Sequence, residues 1–264
     1  LWVKIAWPFE HSGIEREIEC YRVLEPYRGI LLSPHVVADG VLHDRADWRY
    51  FVMEHVPGQR LGDVWADVPR EDQVAIARQL GWLIHALHCV PLSQLTTMET
   101  SPDAWAAFVL QRTANCSVDL RERRALPEYL IEQVPEFLSA SLPLFPGNIA
   151  PVLLHGDVTE DHVLLSQIGG HWRITGLIDF GDALVGHSEY EFTCIHLGPL
   201  GRGRRLTRAF LESYGWDGWD ATRFARRMLA YCLIHPWFGF EDYVEELGGP
   251  AHVRTLDDLA MGLW

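Results

Sequence analysis

Hydrophobic and polar residues follow two different periods in the first sixty residues of the chain. Leu1–Ala6 alternates between the two classes, which predicts a short strand. Ser12–Tyr27 instead spaces its apolar residues three and four positions apart, which predicts a helix that ends near Pro26. Two further alternating runs, Val36–Leu42 and Tyr50–Glu54, predict a pair of strands around a polar turn.

The dipeptide Pro57–Gly58 is a strong break, and the pattern beyond it is mainly helical. Helical spacing recurs in these segments: Glu71–Val90, Ser101–Cys116, Pro127–Ala140, Arg204–Tyr214 and Ala221–His235. Between residues 151 and 183 the pattern returns to short apolar strands that flank polar loops. This layout predicts an α+β fold with a small mixed lobe at residues 1–56 and a larger, mainly helical lobe at residues 57–264.

The composition is that of a globular protein. Hydrophobic residues make up 48% and charged residues 22% of the 264 positions, which excludes a disordered chain. The net charge of −14 argues against binding to nucleic acid or to an anionic membrane. It suits a cationic small-molecule substrate, although a merely soluble, self-repelling surface would carry the same charge.

The five cysteines are scattered, contain no C-x-x-C pair and are odd in number. We therefore expect reduced, mostly buried thiols and a cytoplasmic protein, without a zinc or disulfide framework. No stretch reaches the length of a membrane span and no signal-peptide pattern is present. Because Leu1 lies within a predicted strand and is not a Met, we expect native sequence upstream of it.

Candidate chemistry is concentrated in two polar loops of the 151–183 segment. The first loop carries His155, Asp157 and His162, and the second presents Asp179 directly after the apolar pair Leu177–Ile178. Two buried strands that each end in an acid suggest a paired-carboxylate site, either for metal binding or for a general base beside a metal. The alternative is that both loops are ordinary turns with solvated acids.

The sequence His-Gly-Asp-x4-His at 155–162, followed by Ile-Asp-Phe-Gly-Asp-Ala at 178–183, resembles the catalytic and metal loops of the aminoglycoside phosphotransferase family. Members of that family are relatives of the protein kinases. The resemblance implies a kinase-like, two-lobed fold with an N-terminal lobe that is truncated here. It also implies transfer of the γ-phosphate of ATP or GTP, with Mg²⁺ or Mn²⁺, to a hydroxyl of an antibiotic-like or other natural product.

The same resemblance assigns roles in the two loops. Asp157 would be the catalytic acid that takes or orients the acceptor hydroxyl, and Asp179 would bind the metal. His162 replaces the metal-binding Asn of the family; it would either bind the metal or shape the loop around Asp157. In the extension of the metal loop, the family's Gly-Asp-Pro is Gly186–His187–Ser188 and the next family Asp is Glu191.

The nucleotide site follows from two further segments. Residues 51–61 resemble the family's hinge, with Met53 as gatekeeper and Glu54 and Val56 as main-chain contacts to the base. Residues 16–24 resemble the helix of the nucleotide lobe, which places the ion-pairing carboxylate at Glu17. Glu19 is the competing candidate. Glu17 is preferred because it lies beside the apolar stripe formed by Ile14, Ile18 and Tyr21.

Lys4 lies thirteen residues before Glu17 and is the one lysine among 22 basic residues. The family uses a lysine at this position to hold the nucleotide phosphates, and a compact ammonium suits that task better than a planar guanidinium.

Two other functions compete with this interpretation. A non-catalytic, pseudokinase-like binding module would account for the absence of a glycine-rich loop before Lys4, but it would not need Lys4, Asp157 and Asp179 together. A kinase of protein side chains would be expected to carry an Ala-Pro-Glu motif at the end of its activation segment, and this sequence contains no such motif. The helical segment Ser101–Ala140 before the first polar loop favours a small-molecule pocket instead.

Overall fold

The computed structural model describes residues 1–7, 11–145, 149–218, 220–236 and 238–264. The chain divides into two compact units: unit 1 comprises Leu1–Thr100 with Val152–Asp217, and unit 2 comprises Ser101–Pro151 with Gly218–Trp264. The lobe boundary expected after residue 56 lies inside unit 1, and it stays a prediction.

Unit 1 contains strands and helices. Its strands are β1 Trp2–Ile5, β2 Val36–Asp44, β3 Ala46–Met53, β4 Gln59–Arg60, β5 Val152–Leu154, β6 Val163–Ile168, β7 His171–Leu177 and β8 Leu184–Gly186. Its helices are α1 His11–Leu24, α2 Arg28–Leu31, α3 Leu61–Val64, α4 Arg70–His88, α8 Ser188–Leu197 and α9 Arg204–Tyr214. Unit 2 is helical, with α5 Pro102–Glu122, α6 Glu128–Ile131, α7 Val134–Ser141, α10 Ala221–Ile234, α11 Glu241–Glu246 and α12 Leu256–Leu263.

The first sheet of unit 1 is antiparallel, in the order β1-β3-β2. Its register pairs Lys4 with Phe51, so these side chains share one face of the sheet, and Phe51 on that face is fully buried. Strand β3 begins at Ala46, four residues earlier than the predicted Tyr50. The difference arises because Arg45 alone, with φ 52°, turns the chain between β2 and β3.

The remaining strands hold the two polar loops. Strands β4, β6 and β7 form one sheet, and β5 pairs with β8. The loop that carries Asp157 follows β5, and the loop that carries Asp179 follows β7. Helix α4 is fixed to β7 through the Gln79 amide, which accepts a hydrogen bond from the Ile174 N–H and donates one to the Ile174 carbonyl, at 2.9 and 3.0 Å. The loops are thus anchored in the buried part of unit 1.

Unit 2 departs from the sequence prediction in two helical segments. Helix α5 continues to Glu122, six residues beyond the predicted end at Cys116. A single helix was expected over Pro127–Ala140, but α6 ends at Ile131 and α7 begins at Val134. Pro135 is the second residue of α7, where a missing N–H costs nothing because the first turn of a helix has unpaired amides. Proline therefore starts a new helix here.

Two compositional expectations can be compared with the structure. Cys20, Cys116, Cys194 and Cys232 are buried thiols, as predicted, whereas Cys89 is exposed. In the part of the chain that the structure describes, no helix has the length and apolar character needed to cross a membrane.

Candidate active site

Lys4, Glu17 and Asp179, here called the lysine cluster, come together from three distant parts of the sequence. The Lys4 Nζ atom lies 2.7 Å from Oε2 of Glu17 on α1 and 2.7 Å from Oδ1 of Asp179. Glu17 is almost fully buried, while the side chains of Lys4 and Asp179 are each more than one-third exposed. The ammonium thus bridges a buried carboxylate and an accessible one.

The surroundings of the lysine cluster favour the charged forms of Lys4 and Asp179 but not that of Glu17. Burial opposes the charge on Lys4, but attraction by Glu17 and Asp179 outweighs it and raises the pKa of Lys4. Burial likewise opposes the charge on Asp179, but the hydrogen bond from Lys4 lowers the pKa of that carboxyl below its ordinary value. For Glu17, burial dominates and raises the pKa.

Asp179 has an unusual backbone conformation. It follows the end of β7 by two residues and lies in the left-handed region, with φ 67° and ψ 71°. Its side chain accepts a hydrogen bond from the Gly181 N–H at 3.4 Å, which caps the short helical turn Phe180–Asp182. This turn directs the Asp179 carboxylate toward Lys4 rather than along the strand.

Residues His155–His162, here called the HGD loop, connect β5 to β6. The His155 ring is buried, and its centroid lies 4.4 Å from that of the Phe180 ring. The His155 Nε2 atom is 2.8 Å from the Ile178 carbonyl oxygen. Gly156 has φ 83°, and a Cβ atom there would collide with the Asp182 carbonyl. The HGD loop and the Asp179 turn therefore fit against each other, and glycine is required at their contact.

Asp157 projects from the HGD loop with its side chain 29% exposed. Burial of the remainder raises the pKa of this carboxyl above the ordinary value for Asp, and nearby Asp182 and Asp179 add to the effect against the attraction of His162. A half-buried carboxylate with a raised pKa is suited to accept a proton.

His162 lies between the two acids. Its Nδ1 atom is 2.7 Å from the Asp157 carbonyl oxygen and 3.4 Å from Asp157 Oδ2, and its Nε2 atom is 3.8 Å from Asp179 Oδ2. Because a carbonyl only accepts hydrogen bonds, Nδ1 carries the proton and donates it. In the tautomer that carries its proton on Nδ1 alone, the Nε2 lone pair lies on the side of Asp179.

These residues fit a divalent cation in part. Among the described residues, no group of three or more His, Cys, Asp or Glu side chains is arranged to hold a metal. Asp179 and His162 nevertheless offer one oxygen and one nitrogen 3.8 Å apart, which is close enough for both to contact a single ion at bonds of about 2.1 Å. The pair fits a cation whose remaining ligands come from water and phosphate.

A cavity of about 300 Å³ lies beside the lysine cluster on the side of the predicted hinge. Its walls include all three hinge residues of the sequence prediction, and the full lining is Trp2, Pro34, Met53, Glu54, His55, Val56, Gly58, Arg60, Leu164 and Ile178. The Glu54 amide is bonded to the His35 carbonyl and the Glu54 side chain pairs with Arg28. No hydrogen bond joins the Val56 amide to another described residue, so this donor remains available.

Comparison with known proteins identifies this arrangement. The model of a family described as "Phosphotransferase enzyme family" matches residues 2–225, most of the chain. The chain belongs to that family. The match includes Lys4, Glu17, the HGD loop and the Asp179 turn.

Solved structures agree on the fold. The GDP complex of wild-type aminoglycoside 2'-phosphotransferase-IIIa is similar with a TM-score of 0.64 at 21% identity, covering 96% of this chain and 79% of that one. The aminoglycoside-3'-phosphotransferase of type VIII is similar with a TM-score of 0.58 at 25% identity, covering 89% and 84%. The kinase-like α+β fold expected from the sequence is confirmed.

A curated relative matches part of this chain over a fraction of its own, longer sequence. The "Lysine-specific demethylase JMJ21" of Arabidopsis thaliana is 24% identical in a match that covers 71% of this chain. The chain spans about a quarter of that protein, 26% of its length. The relationship thus concerns one segment of a longer protein.

The structure separates the two glutamates that the sequence left in competition. Glu17 contacts Lys4, whereas Glu19 faces away and accepts hydrogen bonds from the backbone amides and hydroxyls of Thr96 and Thr97, at 2.5–3.3 Å. Glu19 therefore ties α1 to the segment after α4. The apolar stripe that includes Ile14 and Ile18 predicted the side of α1 on which Glu17 lies.

Sequence reasoning missed the role of Glu191. This fully buried carboxylate of α8 accepts hydrogen bonds from the amides of His155 at 2.6 Å and Gly156 at 3.1 Å. It fixes the start of the HGD loop from beneath. The sequence did point to this position, because Glu191 stands where the family pattern has an Asp. From the sequence alone, the residue was only a difference from that pattern and had no assigned role.

Proposed function

We propose that the protein transfers the γ-phosphoryl group of ATP or GTP to a hydroxyl of a small molecule. The observation that carries this proposal is a continuous series of close pairs: Glu17–Lys4, Lys4–Asp179, Asp179–His162 and His162–Asp157, each within 4 Å. The series begins near the cavity at the predicted hinge, whose walls include Trp2 of β1 and Ile178 next to Asp179, and it ends at the carboxylate of Asp157.

The nucleotide would bind with its base in the cavity. Met53 would close the back of this cavity, and the Glu54 carbonyl and the Val56 amide would hydrogen-bond the base. Lys4 would hold the phosphates, and Glu17 would keep the ammonium directed toward them. The first 56 residues would then form the nucleotide-binding lobe, and the rest of the chain would supply catalysis and substrate binding.

The reaction needs a hydroxyl oriented in line with the γ-phosphate. Its oxygen forms a bond to the γ-phosphorus, while the bond from that phosphorus to the bridging oxygen breaks. The bridging oxygen leaves with the electron pair on the nucleoside diphosphate, and the hydroxyl proton passes to Asp157. Asp179, with His162 beside it, would hold a divalent cation, which neutralises phosphate charge when bound.

The substrate class is proposed from two supports. Solved relatives include kanamycin and spectinomycin complexes, so hydroxyl-bearing antibiotics are suitable first candidates. The net charge of −14 favours substrates that carry amines over neutral or acidic ones.

The test is phosphoryl transfer from radiolabelled ATP and GTP to a panel of amine-bearing and neutral polyhydroxyl compounds, with products identified by mass spectrometry. We expect a labelled small molecule with the parent protein, formed at least about a hundredfold more slowly with Asp157→Asn. Nucleotide binding without any labelled product would instead indicate a binding module, and label on protein alone would indicate a protein kinase.

The metal assignment has its own measurement. Parent and His162→Asn are titrated with Mg²⁺ and with Mn²⁺ at fixed ATP. Since imidazole suits first-row transition ions and Mg²⁺ prefers oxygen, we expect His162→Asn to shift the preference toward Mg²⁺. An unchanged preference would leave His162 as a residue that shapes the HGD loop.

A further inference from the structure

Tyr21 occupies a position between the two carboxylates of the lysine cluster. It lies four residues after Glu17 on α1, one turn further along the same face, and its side chain is 1% exposed. The ring contacts Phe180 edge-on at 5.6 Å and Phe51 at 6.0 Å between centroids. A phenylalanine would fill this space equally well, so packing alone does not call for the hydroxyl.

The Tyr21 hydroxyl both accepts and donates a hydrogen bond. The Asp179 N–H lies 2.9 Å from the Tyr21 oxygen, and because an amide can only donate, the hydroxyl accepts from it. The hydroxyl proton is then free for Oε1 of Glu17, at 3.0 Å. Burial and the neighbouring Glu17 raise the pKa of Tyr21 well above its ordinary value, which keeps this proton in place.

These two bonds close a ring with the two contacts of Lys4. Glu17 is held by Tyr21 at Oε1 and by Lys4 at Oε2, while Asp179 is held by Tyr21 at its amide and by Lys4 at Oδ1. Tyr21 and Lys4 therefore both hold each acid. Without the hydroxyl, Glu17 would keep its contact with Lys4. Asp179 would keep its side-chain contacts with Lys4 and the Gly181 N–H but would lose the bond at its own amide.

The attachment matters most at Asp179. Its left-handed backbone conformation is rare for a residue with a side chain and persists only where the surroundings hold it. The N–H that Tyr21 accepts belongs to this residue, so the hydroxyl fixes the backbone from which the carboxylate projects.

We propose that Tyr21 is a positioning residue, whose hydroxyl sets the Asp179 carboxylate for a divalent cation by holding the Asp179 amide. The proposal rests on the proposed function, because it assumes that Asp179 receives the cation that accompanies the nucleotide. It adds that the Glu17–Lys4 pair and the cation-binding turn are joined through a single hydroxyl.

The experiment compares ADP binding by calorimetry with and without Mg²⁺ in the parent protein and in Tyr21→Phe. We expect the gain in ADP affinity that Mg²⁺ provides to fall about tenfold in Tyr21→Phe, the size of one lost hydrogen bond to this site. Metal-free ADP affinity should stay within about twofold, since Lys4 and the cavity are retained.

Two further variants separate positioning from general stability. Tyr129→Phe removes a hydroxyl that donates to the Val253 carbonyl in unit 2 at 2.8 Å, and it should leave the Mg²⁺-dependent gain unchanged. In an Asp179→Ala background, Tyr21→Phe should have no additional effect on ADP binding, because the carboxylate that it positions is gone.

A lower melting temperature in Tyr21→Phe with an unchanged Mg²⁺-dependent gain would overturn the proposal and leave Tyr21 a packing residue. A further loss in the Asp179→Ala background would also overturn it.

If the parent binds Mg²⁺ and ADP but transfers no phosphoryl group, the proposed function fails while these titrations still decide the role of Tyr21. If Mg²⁺ gives the parent no gain in affinity, the proposal fails with its premise.

Discussion

The lysine cluster and the HGD loop are held in place by opposite means. In the lysine cluster, charged side chains hold one another: Lys4 contacts the buried Glu17 and the partly exposed Asp179, each from another segment of the chain. In the HGD loop, the backbone is held instead, by the buried Glu191 carboxylate and by close contact of Gly156 with the Asp182 carbonyl. The Asp157 side chain projects from this loop, while the Asp157 carbonyl accepts hydrogen bonds from His162 and the Thr159 amide within it.

This difference predicts how substitutions divide. A change at Asp179, or a change at Lys4 that keeps the positive charge beside the buried Glu17, should affect nucleotide and metal binding while the fold persists. The Lys4–Asp179 ion pair is partly exposed on both sides, and such a pair contributes little to stability. A change at Glu191 should affect stability and activity together, since it would leave buried amides without a partner. A change at Asp157 should affect activity alone.

The largest effect is expected for Asp157→Asn. The amide cannot accept the hydroxyl proton, so kcat should fall by about 10²–10⁴, the usual contribution of a general base. Steady-state kinetics measure this, and calorimetry with ADP should show binding near that of the parent. Turnover at the parent rate would show that the HGD loop does not supply the proton acceptor.

The next effect is expected for Lys4. Lys4→Met removes a charge-assisted contact and should reduce kcat/KM for ATP by about 10–100-fold. Lys4→Arg keeps the charge but changes its shape, and it should also lose activity while retaining the parent's melting temperature. If the Arg variant and the parent are equally active, the lysine cluster is not a phosphate-binding site.

Local patterns in the sequence predicted parts of both regions. The HGD loop, the Asp179 turn and the hinge were predicted because each is a short continuous motif flanked by strands. The choice of Glu17 over Glu19 followed from helical periodicity, which relates each residue to one face of α1. Both are local properties of the sequence.

What the sequence could not reveal depends on contacts between distant segments. Tyr21 was placed in an apolar stripe, and its hydroxyl gains meaning only where α1 meets the Asp179 turn. Glu191 similarly acts 35 residues from the amide of Gly156 that it binds. The split between α6 and α7 was missed because Pro135 is acceptable both as a disruption of a long helix and as the start of a new one.

Glu191→Gln tests the support of the HGD loop. A glutamine offers one acceptor oxygen, and its NH₂ group would face the second amide, so one buried N–H loses its partner. We expect the free energy of unfolding to fall by about 1–3 kcal/mol, measured by urea denaturation, with kcat reduced in the same variant. A stable, fully active variant would mean that the HGD loop is held without Glu191.

The smallest effect is expected at Glu19, which anchors α1 but lies outside the lysine cluster. Although partial burial opposes its charge, the hydrogen bonds from Thr96 and Thr97 lower the pKa of Glu19 below its ordinary value. A carboxyl with a lowered pKa contributes stability that is fully present above its unfolded pKa of about 4.3 and is lost as the pH falls through the folded value. Glu19→Gln should therefore reduce the free energy of unfolding by about 1 kcal/mol at pH 7, because solvent screens these partly exposed contacts.

The pH dependence of that difference provides the decisive measurement. Denaturation of the parent and Glu19→Gln is compared from pH 7 to pH 3, so that acids common to both chains cancel. The difference in stability should stay constant down to about pH 5 and then shrink below about pH 4.3. A difference that grows on acidification would mean that Glu19 is more easily protonated in the folded state. In that case the contacts with Thr96 and Thr97 would not be what anchors α1 beside the lysine cluster.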